Sequence, residues 1–433
     1  LFKKVDKSKL SKLDRLNFEL MKDKFDYFNS ISAEMIKKKA ELSIECEGNW
    51  REAKEKSNFN IVKDSLKKLV DLIKQESEIL SQIKNKKKYD CLLSKYDRSL
   101  ESKNLFKIFH RIEKFIKKKL PIIEKKQMNK DYQLKDFLTE NDQFELSKIF
   151  MMKLGFDFSR GRIDKSLHPF CGGGTQDVRI TTRFSEEDSF SCFDALMHET
   201  GHALYEQGLP KKWAHQPIGS AGGMSLHESQ SLFIEMQIIK SLSVSQFIQK
   251  TLVDKMGKDP NVWSSEIIYN IRNNVRPGYI RVDSDEVHYP LHIIHRFNIE
   301  YKIIEEDAKV DNLPDLWNEE FSKTLRLDVN DDKVGCLQDI HWYGGDFGYF
   351  PTYSIGAFIA AQLACKVRKE VKDYDLNLQK GNFKPIIKWL RKNVHRRGSF
   401  FKIDELLKES TKEELNLKYF ESHIIDRYVK KKI

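Results

Sequence analysis

Apolar residues recur at roughly helical spacing through the first third of the chain, with Lys and Glu between them. The clearest run comprises Ile61, Leu66, Leu69, Val70, Leu72 and Ile73. Gly and Pro are nearly absent from residues 3–126, which is typical of long helices joined by short turns. Because the apolar positions do not keep a strict heptad for long, the pattern favours a helical wall or bundle over a coiled coil.

The composition changes near Met151, where glycines become frequent and the apolar period shortens. Within Asp177–Phe184, apolar and polar residues alternate, which predicts a half-buried strand. The segments that follow, Ser191 to Gln207 and Leu226 to Ser241, have the periodicity of helices. We therefore predict one continuous and mostly helical region with a small sheet.

Charge and cysteine content narrow the function classes. The chain has 433 residues and a formal net charge of +11, but Lys and Glu alternate and no dense Arg cluster or stacking motif is present. Nucleic acid is therefore not a predicted partner. The longest apolar run, near Ile355 to Cys365, is too short to span a membrane. Six scattered cysteines without a Cys-x-x-Cys pair predict a reduced, cytoplasmic protein. The chain begins without Met, and we expect its true start to be missing.

The segment that carries chemistry is His198-Glu199-x-x-His202. On a helix, this spacing puts two imidazoles one turn apart on the same face, where both can hold one divalent metal. Glu199 then faces the open coordination position. Apolar residues surround the motif, as expected for an amphipathic helix. The pattern predicts a metal-dependent hydrolase, with a peptidase as the first hypothesis.

The third ligand distinguishes the peptidase classes. In one large class, Gly and a third His stand three and six residues after the second His. Tyr205 and Gly208 occupy those positions here, which excludes that class. A carboxylate on a later helix remains. Glu228 is preferred as the third ligand because its neighbours His227 and Ser229 are polar, while Glu235 fits by spacing alone. Glu206 lies on the motif helix itself, too far along it to reach the metal.

Six segments occur in an order that matches one known family. They are His168-Pro169-Phe170, Asp177-x-Arg179-x-Thr181, His198-Glu199-x-x-His202, His227-Glu228-Ser229, Ile280-Arg281-x-x-Ser284-Asp285 and Gly335-x-x-Gln338-Asp339-x-His341-Trp342. Together they resemble the carboxypeptidase Taq family of metallocarboxypeptidases over nearly the whole chain. Ser284 stands where the family usually has Ala, and His288 replaces a usual Thr. Neither change removes a catalytic group.

The resemblance implies a mainly α, large helical metallopeptidase fold with a deep substrate groove and a small antiparallel sheet beside the active-site helix. It implies an N-terminal helical wall over residues 1–150 and a catalytic region over residues 151–433. His198, His202 and Glu228 then bind one divalent metal, usually zinc with cobalt as the alternative, and Glu199 is the general base. The implied activity is the release of single C-terminal residues from peptides with broad preference, in an enzyme that commonly forms homodimers.

Recognition of a free C-terminus needs a group that binds a carboxylate, and the fork of Arg does so bidentately. Arg281 is the first candidate, with Arg179 and Arg276 as alternatives. Further substrate-binding candidates from the same motifs are His168, Asp177, Arg179, Gln338 and Asp339. The candidates for oxyanion donors are His341, Tyr349 and Tyr353. We also predict that the strand from Asp177 to Phe184 pairs with the substrate backbone.

Two other functions stay open at this point. A zinc endo-oligopeptidase would use the same groove with open ends, and an inactive helical protein would only bind peptides. Intact Glu199 argues against the second. His288, His292 and His295 resemble a second metal cluster, but Pro290 interrupts their spacing and no acid completes the set. We therefore expect these histidines to be structural.

Overall fold

A computed structural model describes residues 2–127, 132–166, 170–184 and 188–430 of a mainly helical chain. Its helices are α1 Lys12–Ser30, α2 Ala33–Glu55, α3 Asn60–Lys84, α4 Lys88–Tyr96, α5 Ser102–Gln127, α6 Glu140–Leu154, α7 Ser191–Gly208, α8 Met224–Leu232, α9 Leu242–Met256, α10 Ser265–Arg272, α11 Tyr289–Glu305, α12 Leu313–Leu325, α13 Pro351–Glu370, α14 Tyr374–Gln379, α15 Lys384–Asn393, α16 Ile403–Thr411 and α17 Lys418–Ile424. Its strands are β1 Gly161–Lys165, β2 Phe170–Gly174 and β3 Asp177–Thr182. The prediction of a mainly α chain with a small sheet is confirmed.

The chain forms two compact units, and each consists of two segments. One comprises Leu1–Lys118 with Arg276–Ser354, and the other Lys119–Val275 with Ile355–Ile433. Helices from late in the chain therefore pack with the N-terminal ones, as α11 does with α4. These bounds differ from the predicted division into an N-terminal wall over residues 1–150 and a catalytic region over residues 151–433. That division stays a prediction. No helix among the described residues is both long and apolar enough to cross a membrane.

In the first unit, α2 and α3 form the most extensive helix pair. Ser32 begins α2 by accepting a hydrogen bond from the backbone of Met35, which satisfies an otherwise unpaired N–H group. The predicted apolar face of α3 is buried, including Leu69 and Ile73. Burial of each such side chain contributes about 1.5–3 kcal/mol, so this face holds the helix in place.

A buried carboxylate joins three parts of the first unit. Glu300 of α11 accepts hydrogen bonds from the Tyr89 hydroxyl at 2.6 Å, the Trp342 indole at 2.8 Å and the Gly348 backbone at 3.0 Å. The side chain has no exposed surface. Burial raises the pKa of Glu300 to about 7, although the three donors oppose the shift.

The sheet lies in the second unit, with the strand order β1-β3-β2. β2 pairs antiparallel with β3 through a tight turn at Thr175-Gln176. Gly173, in β2 just before this turn, has a φ of +96°, and a Cβ there would lie 2.1 Å from the Asp177 carbonyl oxygen. β1 pairs parallel with β3, because the chain reverses after β1 and again after β2. The prediction of an antiparallel sheet is therefore wrong for β1, and the sheet is mixed.

The strand predicted from alternation is β3, which ends at Thr182 rather than Phe184. Val178, Ile180 and Thr182 are buried, as the period of two requires. The faces of β2 and β3 pack against α7, the helix that carries the histidine motif. The sheet therefore supports that helix from one side.

We expect Glu300 to make the first unit less stable as the pH rises. The folded-state pKa of about 7 lies above the ordinary value of 4.5, so the folded state holds the proton more tightly between these values. This stabilisation is fully present below pH 4.5 and is lost as the pH rises through 7, by about 3 kcal/mol in all. The measurement is the urea midpoint from pH 5 to 8 for the wild type and Glu300→Gln, with the exposed Glu319→Gln as control. Parallel profiles for wild type and Glu300→Gln would contradict the assignment.

Candidate active site

Helix α7 presents the histidine motif from a buried position. Phe193, Leu196 and Met197 have at most a trace of exposed surface and pack on the apolar side. His198 and His202 follow at the spacing of one turn and are half-buried. The helix ends at Gly208, one residue beyond the predicted end. Packing of the apolar face thus fixes the direction in which both imidazoles point.

Gly201, between the two histidines, lets the next helix come very close. A Cβ at this position would lie 2.4 Å from the carbonyl oxygen of Gln230 and 2.5 Å from the Cα of Ser231. Any larger residue would therefore push α8 away from α7. The segment from Leu226 was predicted to be one helix to Ser241. It is α8 to Leu232, followed by a π-helical segment, Phe233–Ile239.

This approach brings a carboxylate of α8 against both imidazoles. Glu228 Oε2 lies 3.4 Å from His202 Nε2 and 3.8 Å from His198 Nε2. All three ligand atoms lie within 4.8 Å of one another, and no other group of three or more such side chains was found among the described residues. Glu228 is only 4% exposed, so its charge depends on these neighbours.

The donor set fits a divalent metal. Tetrahedral coordination with bonds of about 2.0–2.1 Å places ligand atoms about 3.3–3.4 Å apart, close to the 3.4 and 3.8 Å between Glu228 Oε2 and the two imidazole nitrogens. Two nitrogens and one oxygen are ligands that Zn²⁺ accepts, and three protein ligands leave one position open. Burial alone would lower the pKa of His198, but Glu228 and Glu235 together raise it to about 10.

The two carboxylates considered as alternatives to Glu228 lie elsewhere. Glu235 Oε2 contacts His198 Nδ1 at 2.9 Å, on the side of the ring that faces away from Glu228. Glu206 Oε1 contacts His227 Nε2 at 3.0 Å. Neither belongs to the three-residue group.

Glu199 lies beside the three-residue group, on α7. Its side chain is half-buried, and burial raises the pKa of its carboxyl above the ordinary value, while His198 lowers it in part. The arrangement leaves a carboxylate next to the imidazole of His198 without making it a member of the ligand group.

Three of the predicted substrate-binding residues, His168, Asp177 and Arg179, lie on or next to the sheet in the chain. His168 lies outside the described residues. Asp177 and Arg179 form an exposed ion pair at 2.8 Å, the structural pairing considered for this Arg. β3 lies between β1 and β2, and both of its edges are paired. The prediction that β3 pairs with substrate is therefore wrong, because a central strand has no free backbone groups to offer.

Arg281 lies in the first unit, and an acid already pairs with it. Its Nε and Nη2 donate to Asp339 Oδ1 at 3.0 and 2.9 Å, and its guanidinium lies 4.7 Å from the centre of the Tyr353 ring. Arg296 donates to the other oxygen of Asp339 at 2.7 Å. Burial alone would raise the pKa of Asp339, but the two guanidinium groups hold it well below its usual range. The alternative, Arg276, is exposed.

Gln338 completes this cluster. Its side-chain oxygen accepts hydrogen bonds from the Arg281 backbone at 3.0 Å and from Arg296 at 2.7 Å. Arg296 was not predicted, and it is fully buried. Its neighbours in sequence give no signal for this role, because the pairing with Asp339 is long-range.

The oxyanion candidates contact one another, also in the first unit. His341 Nε2 lies 3.0 Å from the Tyr353 hydroxyl, and the Tyr349 ring lies 5.4 Å from the His341 ring. Burial and the nearby Arg281 lower the pKa of His341 to about 4. The imidazole is therefore neutral at pH 7 and carries one ring proton to donate.

A His-Glu-x-x-His helix, a buried carboxylate on the next helix and a mainly helical chain define the class of helical metallopeptidases. The family model of carboxypeptidase Taq (M32) metallopeptidase matches residues 1–428. The chain belongs to this family and is a metallocarboxypeptidase.

Named relatives agree with this assignment. Carboxypeptidase 1 of Bacillus subtilis is 33% identical over 95% of this chain and 82% of its own length. Thermostable carboxypeptidase 1 of Pyrococcus furiosus is 34% identical over 92% of this chain and 80% of its own. The structure of metallocarboxypeptidase 1 from Trypanosoma cruzi superposes with a TM-score of 0.93 at 35% identity, covering 98% of this chain and 85% of that one.

We expect Gly201→Ala to weaken metal binding and stability together. The added Cβ would collide with the backbone of α8, and such overpacking costs about 1–3 kcal/mol. Displacement of α8 would move Glu228 away from the imidazoles. Metal content after dialysis and the unfolding temperature check this. The control is Gly48→Ala in α2, where a Cβ meets nothing within 4 Å. Unchanged metal content in Gly201→Ala would contradict the role given to this contact.

Proposed function

We propose that His198, His202 and Glu228 hold the catalytic divalent metal, with zinc as the first choice and cobalt as the alternative. The observation that carries the proposal is the convergence of two imidazole nitrogens and one carboxylate oxygen within 4.8 Å. Membership of a metallopeptidase family supports it, since the family requires a metal. When bound, such a metal activates water and polarises the scissile carbonyl.

Glu199 is the general base in this proposal. Its carboxylate takes a proton from the attacking water and passes it to the leaving amine, so the C-terminal residue departs as a free amino acid. Its position on α7, one residue after His198, supports this role. The amine leaves neutral, and the carboxylate is restored for the next cycle.

Arg281 binds the substrate carboxylate, and His341 with Tyr353 donates to the developing oxyanion, with Tyr349 beside them. The local geometry supports each role. Asp339 holds the Arg281 guanidinium in one orientation, Gln338 accepts from the Arg281 backbone N–H, and the neutral His341 is hydrogen-bonded to Tyr353. Asp339 and Gln338 thus act through Arg281 rather than on substrate.

The proposal includes a broad preference for the C-terminal side chain. Within the described sheet, β2 is an edge strand that packs against α7, so backbone pairing with substrate falls to β2 instead of β3. Backbone pairing reads chain direction rather than side chains, which supports broad preference. A homodimer and a cytoplasmic location also belong to the proposal, supported by the family resemblance and the scattered cysteines.

We expect Glu199→Gln to lower kcat by about 10²–10⁴-fold while metal content stays at one ion per chain. Gln keeps the shape of the side chain but cannot accept the proton. The measurement combines steady-state kinetics on an unblocked peptide with metal analysis. The exposed Glu145→Gln on α6 is the control and should match the wild type. Wild-type rates in Glu199→Gln would refute the base assignment.

We expect the enzyme to cleave a free-acid peptide and to leave its C-terminal amide nearly untouched. Arg281→Lys should raise KM for the free acid by about tenfold or more, because Lys cannot form the two parallel hydrogen bonds of a guanidinium. Arg276→Lys is the matched control and should change little. Equal cleavage of acid and amide would favour the endo-oligopeptidase. A normal KM in Arg281→Lys would remove Arg281 from the carboxylate site.

A further inference from the structure

The imidazole of His198 lies between two carboxylates of one helical segment. Its Nε2 is 3.8 Å from Glu228 Oε2, and its Nδ1 is 2.9 Å from Glu235 Oε2. One nitrogen therefore faces the proposed metal position while the other is held by a hydrogen bond. The ring therefore cannot turn without breaking the bond to Glu235.

Helical geometry explains why both carboxylates reach the same ring. Glu228 and Glu235 are seven residues apart on the continuous segment formed by α8 and Phe233–Ile239. Seven residues make about two α-helical turns, or roughly 10.5 Å along the axis, so both side chains point to the same side. The π-helical turns at Glu235 adjust its direction, and such turns are frequent at functional sites.

A lysine neutralises and holds the outer carboxylate. Lys240 Nζ lies 3.1 Å from Glu235 Oε1, so the two oxygens of Glu235 contact different partners. The side chains of Glu235 and Lys240 are 15% and 12% exposed. A carboxylate at this depth needs a charged partner to stay ionised, and Lys240 supplies it.

The second imidazole has a different outer partner. His202 Nδ1 lies 2.6 Å from His227 Nδ1 and 3.1 Å from the carbonyl oxygen of the same residue, and Glu206 contacts the far nitrogen of His227 at 3.0 Å. The two proposed metal-binding rings are thus unequal, since the outer nitrogen of His198 contacts a carboxylate directly, whereas that of His202 contacts His227. A carboxylate behind an imidazole fixes its tautomer and increases the basicity of the opposite nitrogen.

We propose that Glu235, held by Lys240, is a positioning residue that orients His198 and strengthens it as a metal ligand. The inference rests on the metal site of the proposed function. Glu235 was weighed from the sequence only as an alternative third ligand. Its place behind the ring gives it a separate role in metal affinity.

The test is the affinity of the metal-free protein for Zn²⁺ in competition with a chromophoric chelator. Glu235→Gln keeps the side-chain shape but loses the charge, and we expect binding about 10–100-fold weaker than in the wild type. The matched control is Glu320→Gln, which breaks a similarly buried pair with Lys302 at 2.8 Å in the other unit. Its affinity should equal that of the wild type.

A second readout separates orientation from simple stability. The visible absorption band of the Co²⁺-loaded protein reports the ligand field, and we expect it to shift in Glu235→Gln but not in Glu320→Gln. The unfolding temperature of the metal-free protein should fall no more in Glu235→Gln than in the control. If Glu235→Gln fails to fold, Glu235→Asp takes its place. This variant keeps the charge but has a shorter side chain, and it should also weaken Zn²⁺ binding.

The outcomes are distinguishable. If the wild-type protein fails to bind one metal ion per chain, the proposed function is overturned. Wild-type binding with equal affinity and an unshifted band in Glu235→Gln would overturn this inference alone. Weaker binding accompanied by a lower unfolding temperature than the control, with an unshifted band, would assign Glu235 a structural role and would also overturn it.

Discussion

The close approach of α7 and α8 at Gly201 is the constraint on which the proposed metal centre depends. With no side chain at Gly201, the backbone of α8 lies where a Cβ would be, and Glu228 comes within 4 Å of both imidazoles. A buried carboxylate is costly unless it is paired. The two histidines and the carboxylate therefore stabilise one another, and the same arrangement creates the proposed ligand set for a divalent metal.

The same rule accounts for three other acidic groups that are shielded from solvent. Glu235 has Lys240 and His198 as partners, and Asp339 has two arginines. Glu300 has only neutral donors, and its pKa rises instead. Buried charge is thus either paired or shifted toward its neutral form. Pairing also orients the groups that act on substrate in the proposed mechanism, since a held side chain loses little conformational freedom on binding.

Much of the fold was predictable, because periodicity and burial are directly linked. The apolar face of α3, the alternation in β3 and the helix carrying His198 all follow from local spacing. The parallel pairing of β1 and the central position of β3 could not be predicted from local spacing, since strand order depends on contacts between segments. The π-helical turn at Glu235 also escaped prediction, because the periodicity from Leu226 to Ser241 fits one continuous helix.

For the site, the amino-acid sequence alone determined the metal motif, the family and the preference for Glu228, because these depend on residue type and spacing. Only the tertiary structure decided that Glu228 faces Nε2 of His198 and that Glu235 contacts its Nδ1. It also decided that Asp339 binds Arg281 through one oxygen and Arg296 through the other. These are contacts between residues far apart in the chain. Local sequence patterns do not predict these contacts, because they form only when the helices pack and bring buried charged groups together.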